Sequence, residues 1–343
     1  MELEKYRPRS KLVTRFLPIE KPRFPVIDAH NHLAEPFGGG WDRRPLPELL
    51  DCLDRAGVSV LVDLDGAWGE DLLNAHLALK EQAPERLLVF GGIDWSRWPQ
   101  EGDRFPEWAA RSIRTQKERG ADGLKVWKDF GLRVRDDRGN LVPVDDPRLE
   151  PIWETAAELG LPVVIHVADP PAFFDPIDET NERWEELQRH PEWAFPSPPF
   201  PPFLEILEAF ANLVTRHPRT TFIGAHVGGY AENLAWVGAL LDRAPNLYID
   251  IAARIGELGR QPYTARRFFL RYADRILFGS DMGPDLEVYR IMYRFLETDD
   301  EYFNYIPGDI PLQGRWYIYG LFLPDGVLEQ VYHRNAERVL LKR

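Results

Sequence analysis

The sequence contains a single cysteine, Cys52, among its 343 residues. One thiol cannot form an intrachain disulfide, and scarce cysteine is typical of a reducing compartment, so we expect a cytoplasmic location. Free cysteines are usually buried and inert, and the segment LLDCLDRAG predicts that this one packs on a helix face. Its expected role is structural.

Long apolar runs are also missing. No stretch of 18 apolar residues is present, so we expect no membrane-spanning helix. Residues 1–24 carry charges throughout and lack an apolar signal core, so no export signal is expected. Positive charge is in deficit, because 42 Lys and Arg face 55 Asp and Glu, for a net charge of −13. This balance argues against partners such as nucleic acid or anionic membranes, which require a basic surface.

No internal repeat and no Gly-rich phosphate-binding fingerprint is found. Instead, eight short apolar segments alternate with amphipathic helical segments. The predicted strands cover 25–30, 58–63, 86–93, 122–128, 162–167, 221–226, 246–251 and 275–278. The predicted helices cover 47–56, 70–80, 106–119, 149–159, 203–215, 233–242, 263–272 and 325–341. This alternation favours parallel pairing, and eight strands favour a closed (β/α)8 barrel over an open doubly wound sheet.

We expect an N-terminal arm over residues 1–24 and one barrel domain over residues 25–343, with long loops after strands 4, 5 and 8. Residues 129–148 form one insertion, and residues 168–202 form a second that holds nine prolines. Both follow the carboxyl ends of strands, where barrel active sites lie. We interpret them as a semi-rigid wall over a site; the alternative is an oligomer contact, and a homodimer is a candidate assembly.

Two histidines end the first predicted strand, in the segment FPVIDAHNHL. Strand alternation predicts that Asp28, His30 and His32 share one face. Two adjacent imidazoles can bind one divalent metal ion, although the pair alone is a weak signal. Four more polar residues stand at the ends of strands 4, 5, 6 and 8: Lys125, His166, His226 and Asp281. Because these ends meet at one mouth of a barrel, we expect the side chains to converge.

This ordered set resembles the amidohydrolase superfamily of metal-dependent barrels over residues 25–283. The segments VIDAHNHL, IGAHVGG and RILFGSDMG are similar to the amidohydrolase-related branch, also called amidohydrolase 2. That branch mixes hydrolases with nonoxidative decarboxylases of aromatic or unsaturated acids, and many members use one metal. GLKVWKDFG resembles the fourth strand of urease and dihydroorotase relatives, in which a carboxylated lysine bridges two metals.

The resemblance implies metal ligands at His30, His32, Lys125, His166, His226 and Asp281. Asp281 is the expected general base or acid, because a ligated carboxylate lies within reach of a metal-bound water. His226 is either a second metal's ligand or a proton donor and oxyanion stabiliser. The expected cofactor is one or two divalent ions, zinc first, with Mn, Fe or Co also compatible with these ligands.

Lys125 has two interpretations. As a free ammonium it would repel a metal ion, whereas as a carbamate it would bridge two of them. Lys128 is the competing candidate: strand alternation puts it on the opposite face from Lys125 and Trp127, but it could still reach the mouth if the strand ends before it, and Lys125 is preferred.

Substrate-binding candidates are Arg254 and Trp127. Arg254 follows the seventh predicted strand and could fork onto a substrate carboxylate, or be a surface residue at a helix start. Trp127, Trp41 and Phe130 could line an aromatic pocket or simply pack.

Asp28 could hold a ligand imidazole in its tautomer, or be a simple buried acceptor. The histidines outside the strand ends are expected at the surface: His76, His190, His217 and His333.

These observations favour a metal-dependent hydrolase that cleaves a C–N or C–O bond of a small-molecule amide, lactone or ester. The alternative is a metal-dependent nonoxidative decarboxylase of an aromatic or unsaturated acid. A barrel that binds a ligand without turnover is a third hypothesis, which the intact ligand set disfavours.

Overall fold

The computed structural model describes residues 9–35, 37–308 and 313–342. Residues 9–24 contain no helix or strand, and the first eight residues of the predicted arm lie outside the described residues. None of the described helices is long and apolar enough to span a membrane.

Eight parallel strands form one sheet in chain order, which confirms the predicted (β/α)8 barrel. They are β1 (Val26–Asn31), β2 (Val58–Asp63), β3 (Leu87–Gly92), β4 (Gly123–Val126), β5 (Val163–Ile165), β6 (Phe222–Gly224), β7 (Leu247–Asp250) and β8 (Ile276–Leu277). Backbone hydrogen bonds close the ring between the first and last strands, from Ala29 N to Phe278 O at 2.9 Å and from Asp281 N to His30 O at 2.8 Å. Every strand end therefore surrounds the same mouth.

One helix of ten or more residues follows each strand in the described residues. These are α1 (Leu46–Ala56), α2 (Glu70–Gln82), α3 (Phe105–Glu118), α4 (Glu150–Leu159), α5 (Phe203–Arg216), α6 (Leu234–Arg243), α7 (Pro262–Arg271) and α8 (Leu286–Glu297). Gly57 ends α1 at a φ of 76°, a left-handed conformation that costs glycine little. Cys52 is buried on α1, as predicted.

The apolar core has two layers. A large cluster lies between the strands and the helices and includes Leu124, Val126 and Trp153. A smaller cluster lies on the other strand face, inside the barrel, and includes Val164 and Ile223. Since Leu124 and Val126 face the helices, the intervening Lys125 points into the barrel.

The predicted strands were too long at β5, β6 and β8, where only two or three residues pair as a ladder. The helix predicted over 325–341 is also interrupted. It begins as an α-helix over Asp325–Glu329 and continues as wider π-helical turns over Gln330–Arg334 and Glu337–Leu341. The carbonyl of Val331 accepts the Phe278 N–H at 2.9 Å, which draws it out of the helix's own ladder.

The two insertions contact each other beside the mouth. The first contains a single antiparallel bridge between Arg135 and Leu141, and the second contains a short helix over Trp184–Arg189. Arg133 Nη2 donates to the carbonyl of Glu192 at 3.1 Å and so joins them.

Asn335 ties the C-terminal segment to β8. Its fully buried amide donates to the carbonyls of Ala273 and Ile276 at 2.8 and 2.7 Å. We expect Asn335→Ala to lower the free energy of unfolding by about 2–4 kcal/mol, because both carbonyls lose their donor inside the protein. Urea unfolding measures the change, and Asn212→Ala, whose exposed amide donates only to Asp145, is the control. A loss below about 0.5 kcal/mol, the usual surface value, would contradict this role.

Candidate functional site

The structure places all six predicted ligand residues at or near the carboxyl ends of strands. His30 lies in β1 and Lys125 lies in β4, whereas His32 and His166 directly follow β1 and β5. His226 lies two residues after β6 and Asp281 lies four residues after β8. All are buried except Asp281, whose side chain is 24 % exposed at the mouth.

Asp281 is the point on which the first-strand histidines converge. Its Oδ1 lies 3.0 Å from His30 Nε2 and 3.2 Å from His32 Nε2, so these two imidazoles share a face as predicted. Its Oδ2 lies 3.9 Å from His226 Nδ1. The residue has a positive φ of 64°, and its amide is held by the carbonyl of His30. Such backbone strain at a non-glycine residue is typical of functional sites.

Hydrogen bonds at Nδ1 orient three of the imidazoles. His30 Nδ1 lies 2.8 Å from Asp250 Oδ2, and His32 Nδ1 lies 2.6 Å from Asp65 Oδ1. His226 Nδ1 lies 2.9 Å from the carbonyl of Ala252, to which it can only donate. In each neutral ring this arrangement leaves the Nε2 lone pair available, which is how proteins orient histidines that bind metal.

These donor atoms fit a divalent metal ion. Ligand atoms of His30, His226 and Asp281 lie within 4.8 Å of one another, and His32 adds a fourth at the Asp281 carboxylate. Imidazole nitrogen and carboxylate oxygen are the ligands that zinc and its neighbours in the first transition row prefer.

His166 lies beside this group. Its ring centroid is 4.2 Å from that of His226, and its buried Nε2 has no hydrogen-bond partner among the described residues. That Nε2 lies 3.4 Å from the carboxylate of Asp169, which in turn accepts from Lys128 Nζ at 2.5 Å. β4 ends at Val126, so Lys128 lies beyond the strand, and its contact with Asp169 brings it to the mouth beside His166, which is the alternative expected for a strand that ends before it.

Lys125 reaches the centre of the group. Its Nζ lies 3.2 Å from His30 Nε2 and 4.8 Å from the ring centroid of Trp127. Burial lowers the pKa of Lys125 to about 8, although the Asp281 and Asp250 carboxylates oppose that shift. A lower pKa enlarges the share of neutral amine at pH 7 relative to a free lysine.

The pKa shifts of Asp281 and His226 give the two groups different charge states at neutral pH. Burial would raise the pKa of Asp281, but the facing imidazoles of His226 and His30 hold it well below its usual range. Burial, with His166 nearby, holds the pKa of His226 well below its usual range as well. At neutral pH the carboxylate is therefore ionised and the His226 imidazole is neutral.

Asp28 does not share a face with the histidines, contrary to the prediction. Its carboxylate accepts from Ser280, Asn31 and the hydroxyl of Tyr289 on the outer helix α8. The register between β1 and β2 shifts between Asp28 and Asn31, which breaks the strict alternation. Asp28 is thus a buried acceptor that fixes Ser280 next to Asp281.

Arg254 is buried, not at the surface, with 7 % of its area exposed. Its Nη1 donates to the carbonyl of Ala253 at 2.9 Å, and no Asp or Glu oxygen of the described residues lies within 4.0 Å of its guanidinium. Trp127 stacks on His32, with ring centroids 5.3 Å apart. The other two aromatic candidates pack elsewhere: Phe130 stacks on Trp95, and Trp41 carries the guanidinium of Arg44.

Sequence reasoning missed the acids that support the histidines. Asp250 is the last residue of β7, and Asp65 follows β2, so the rule that polar residues at strand ends line the mouth would have found both. The surface prediction was wrong for His76 and His217, which are 1 % and 7 % exposed. His76 Nδ1 lies 2.5 Å from Asp63 Oδ2, an ion pair that a single helical sequence pattern does not reveal.

The comparisons with known proteins agree with this architecture. A family model described as amidohydrolase matches residues 27–341. The chain belongs to the amidohydrolase family. No curated protein matches it. This membership places the chain among enzymes.

Similar solved structures share the fold at low sequence identity. An uncharacterised TIM-barrel protein from Bordetella bronchiseptica is 17 % identical with a TM-score of 0.59, covering 93 % of this chain and 99 % of that one. The 2,6-dihydroxybenzoate decarboxylase from Rhizobium is 16 % identical with a TM-score of 0.58, covering 93 % and 99 %. A dihydroxybenzoic acid decarboxylase from Polaromonas, with bound manganese and the inhibitor 2-nitroresorcinol, is 17 % identical with a TM-score of 0.57, covering 93 % and 98 %.

The convergence on Asp281 predicts where a metal ion is held. We expect the double variant His30→Ala with His32→Ala to retain no metal after purification, because two of the nitrogens beside Asp281 are gone. Elemental mass spectrometry measures metal per chain, and His190→Ala, half-buried on the proline-rich insertion, is the control. Full metal retention in the double variant would contradict the assignment.

The contact between Asp250 and His30 leads to a second prediction, a partial loss of metal affinity. Asp250→Asn keeps the shape of the side chain but removes the charge that fixes the Nδ1 proton of His30. We expect metal affinity to fall by about 10–100-fold, the usual effect of losing such a support. Competition with a fluorescent chelator measures the affinity, and an unchanged dissociation constant would rule out the positioning role.

Proposed function

We propose that the protein is a divalent-metal-dependent nonoxidative decarboxylase of a small aromatic or unsaturated carboxylic acid. The observation that carries this proposal is Arg254, a buried guanidinium whose charge helps to lower the pKa of His226 and which has no carboxylate partner among the described residues. The similarity to dihydroxybenzoate decarboxylases supports the reaction type. The hydrolase favoured by the sequence is the second candidate.

The proposed ligands are His30, His32, His226 and Asp281, with His166 beside them, and Lys125 joins them only if it is a carbamate. A divalent ion bound there would supply a Lewis acid for an anionic oxygen of the substrate. Zinc stays a prediction, and manganese, iron and cobalt suit the same donors. Because the Nδ1 proton of His226 is committed to Ala252, its Nε2 can only accept, which favours a ligand over a proton donor.

Arg254 would bind the substrate carboxylate. A buried guanidinium is costly unless it is paired, and a planar carboxylate matches its fork of N–H donors. Glu232 and Glu186 both feel the charge of Arg254, but burial outweighs that effect in each, and with the charge of Glu257 it raises the pKa of Glu232 to about 7.

The reaction needs no oxidant or reductant. The bond from the carboxylate carbon to the ring or vinyl carbon breaks, CO2 leaves, and the electron pair stays on the carbon that takes a proton. Asp281, which is partly exposed at the mouth, would relay a proton from water to that carbon, and the hydroxide left behind would combine with CO2 as bicarbonate.

One specific observation supports the second candidate, hydrolysis. Burial gives Lys125 an enhanced neutral fraction, and the neutral amine is the form that reacts with CO2 to give a carbamate. A carbamate beside His30 would supply an anionic ligand for a second metal and would suit attack by a metal-activated water on an amide, lactone or ester.

The two reactions are separated by their products. We would incubate the purified protein in D2O with hydroxylated benzoates and unsaturated acids, and separately with lactones, esters and amides. The proposal predicts CO2 release and one deuterium on the carbon that lost the carboxylate. Hydrolysis of an ester, lactone or amide without CO2 release from any acid would contradict it.

Arg254→Gln tests the carboxylate site. With the substrate that releases CO2, we expect KM to rise about 10–100-fold, because one charge-assisted contact is lost, while kcat changes less. Arg271→Gln, an exposed arginine on α7, is the matched control. An unchanged KM in Arg254→Gln would exclude this role.

A further inference from the structure

Four aromatic side chains form a closed ring at one side of the mouth. His32 stacks on Trp127 at 5.3 Å, and Trp127 meets Trp68 edge to face at 4.6 Å. Trp68 lies 6.0 Å from Phe37, and Phe37 lies 5.8 Å from His32, all measured between ring centroids. We call Phe37, Trp68 and Trp127 the aromatic wall. Its fourth neighbour, His32, is a proposed metal ligand.

The outer members of the aromatic wall are open to solvent. Trp68 is 51 % exposed and Phe37 is 46 % exposed, and Met282 next to Asp281 is 44 % exposed. Side chains whose role is packing are normally buried, so clustered exposed aromatics indicate a binding surface. Trp127 also has a buried indole N–H without an acceptor among the described residues.

The order of the strands places this wall on a different side of the mouth from Arg254. Phe37 follows β1, Trp68 follows β2 and Trp127 follows β4. Arg254 follows β7, which in a ring of eight lies two strands from β1 and three from both β2 and β4. The predicted ligands on or after β1, β6 and β8 lie on the part of the ring that runs from β6 through β8 to β1, next to both Arg254 and the aromatic wall.

We propose that the aromatic wall is the subsite for the planar part of the substrate, with Trp68 as its main stacking surface. This inference rests on the proposed function, because Arg254 must hold the carboxylate for the ring to lie against the wall. The indole N–H of Trp127 then meets a polar substituent of that ring. Offset or edge contact with a flat π-system is favourable, whereas a saturated ring of equal charge gains only the apolar contact.

The test uses two acids that share the carboxylate charge and a six-carbon ring but differ in whether that ring is aromatic and flat. Benzoate and cyclohexanecarboxylate are titrated calorimetrically into the protein as purified with its metal. We expect wild type to bind benzoate about threefold to tenfold more tightly than the saturated acid. In Trp68→Leu the preference should fall below about twofold, because the apolar contact remains and the stacking surface is lost. Trp184→Leu, an exposed tryptophan on the insertion, is the control and should keep the wild-type preference.

Equal loss of affinity for both acids in Trp68→Leu, or an unchanged preference for benzoate, would overturn the inference, as would the absence of any preference in wild type. Binding is measured without turnover, so the result is independent of CO2 release. If the preference depends on Trp68 and no acid is decarboxylated, the aromatic subsite stands and the proposed reaction fails. Circular dichroism of Trp68→Leu checks that a lost preference does not come from unfolding.

Discussion

The carboxylate of Asp250 is the contact on which the mouth of the barrel depends. Its Oδ2 holds the imidazole of His30, while its Oδ1 accepts the backbone amides of His226 and Ala252 at 2.9 and 3.1 Å. One buried charge thereby fixes the orientation of a ring on β1 and the strained loop after β6, where His226 has a φ of 58°. Buried carboxylates are costly without donors, so each partner also stabilises this one.

The barrel makes such long-range contacts possible. Residues far apart in sequence, such as Asp28 and Ser280, become neighbours because the ring closes between β1 and β8. The same closure brings an aromatic side, built on the loops after β1, β2 and β4, to the same mouth as Arg254 after β7. The proposed substrate, a small planar acid, has a part that is complementary to each.

The sequence was sufficient to predict the eight strands and to bring the six candidate ligand residues to one mouth, because the carboxyl ends of all the strands of a barrel lie at the same mouth. It failed where a local irregularity or a distant partner decides the outcome. The register shift in β1 turned Asp28 toward α8, and no alternation pattern could predict it. His76 was predicted at the surface because its helical sequence does not show that the fold places Asp63 beside its ring. Trp68 gave no signal alone, since its role depends on Phe37 and Trp127 from other loops.

The most direct test of this account is the metal content per chain, by elemental mass spectrometry, of wild type and Lys125→Ala, each purified with bicarbonate present. A decarboxylase with a single ion at Asp281 predicts one metal in both proteins, since Lys125 then contacts His30 only as an amine. Two metals in wild type and one or fewer in the variant would make Lys125 a carbamate bridge. That result would contradict the single-metal account and favour hydrolysis.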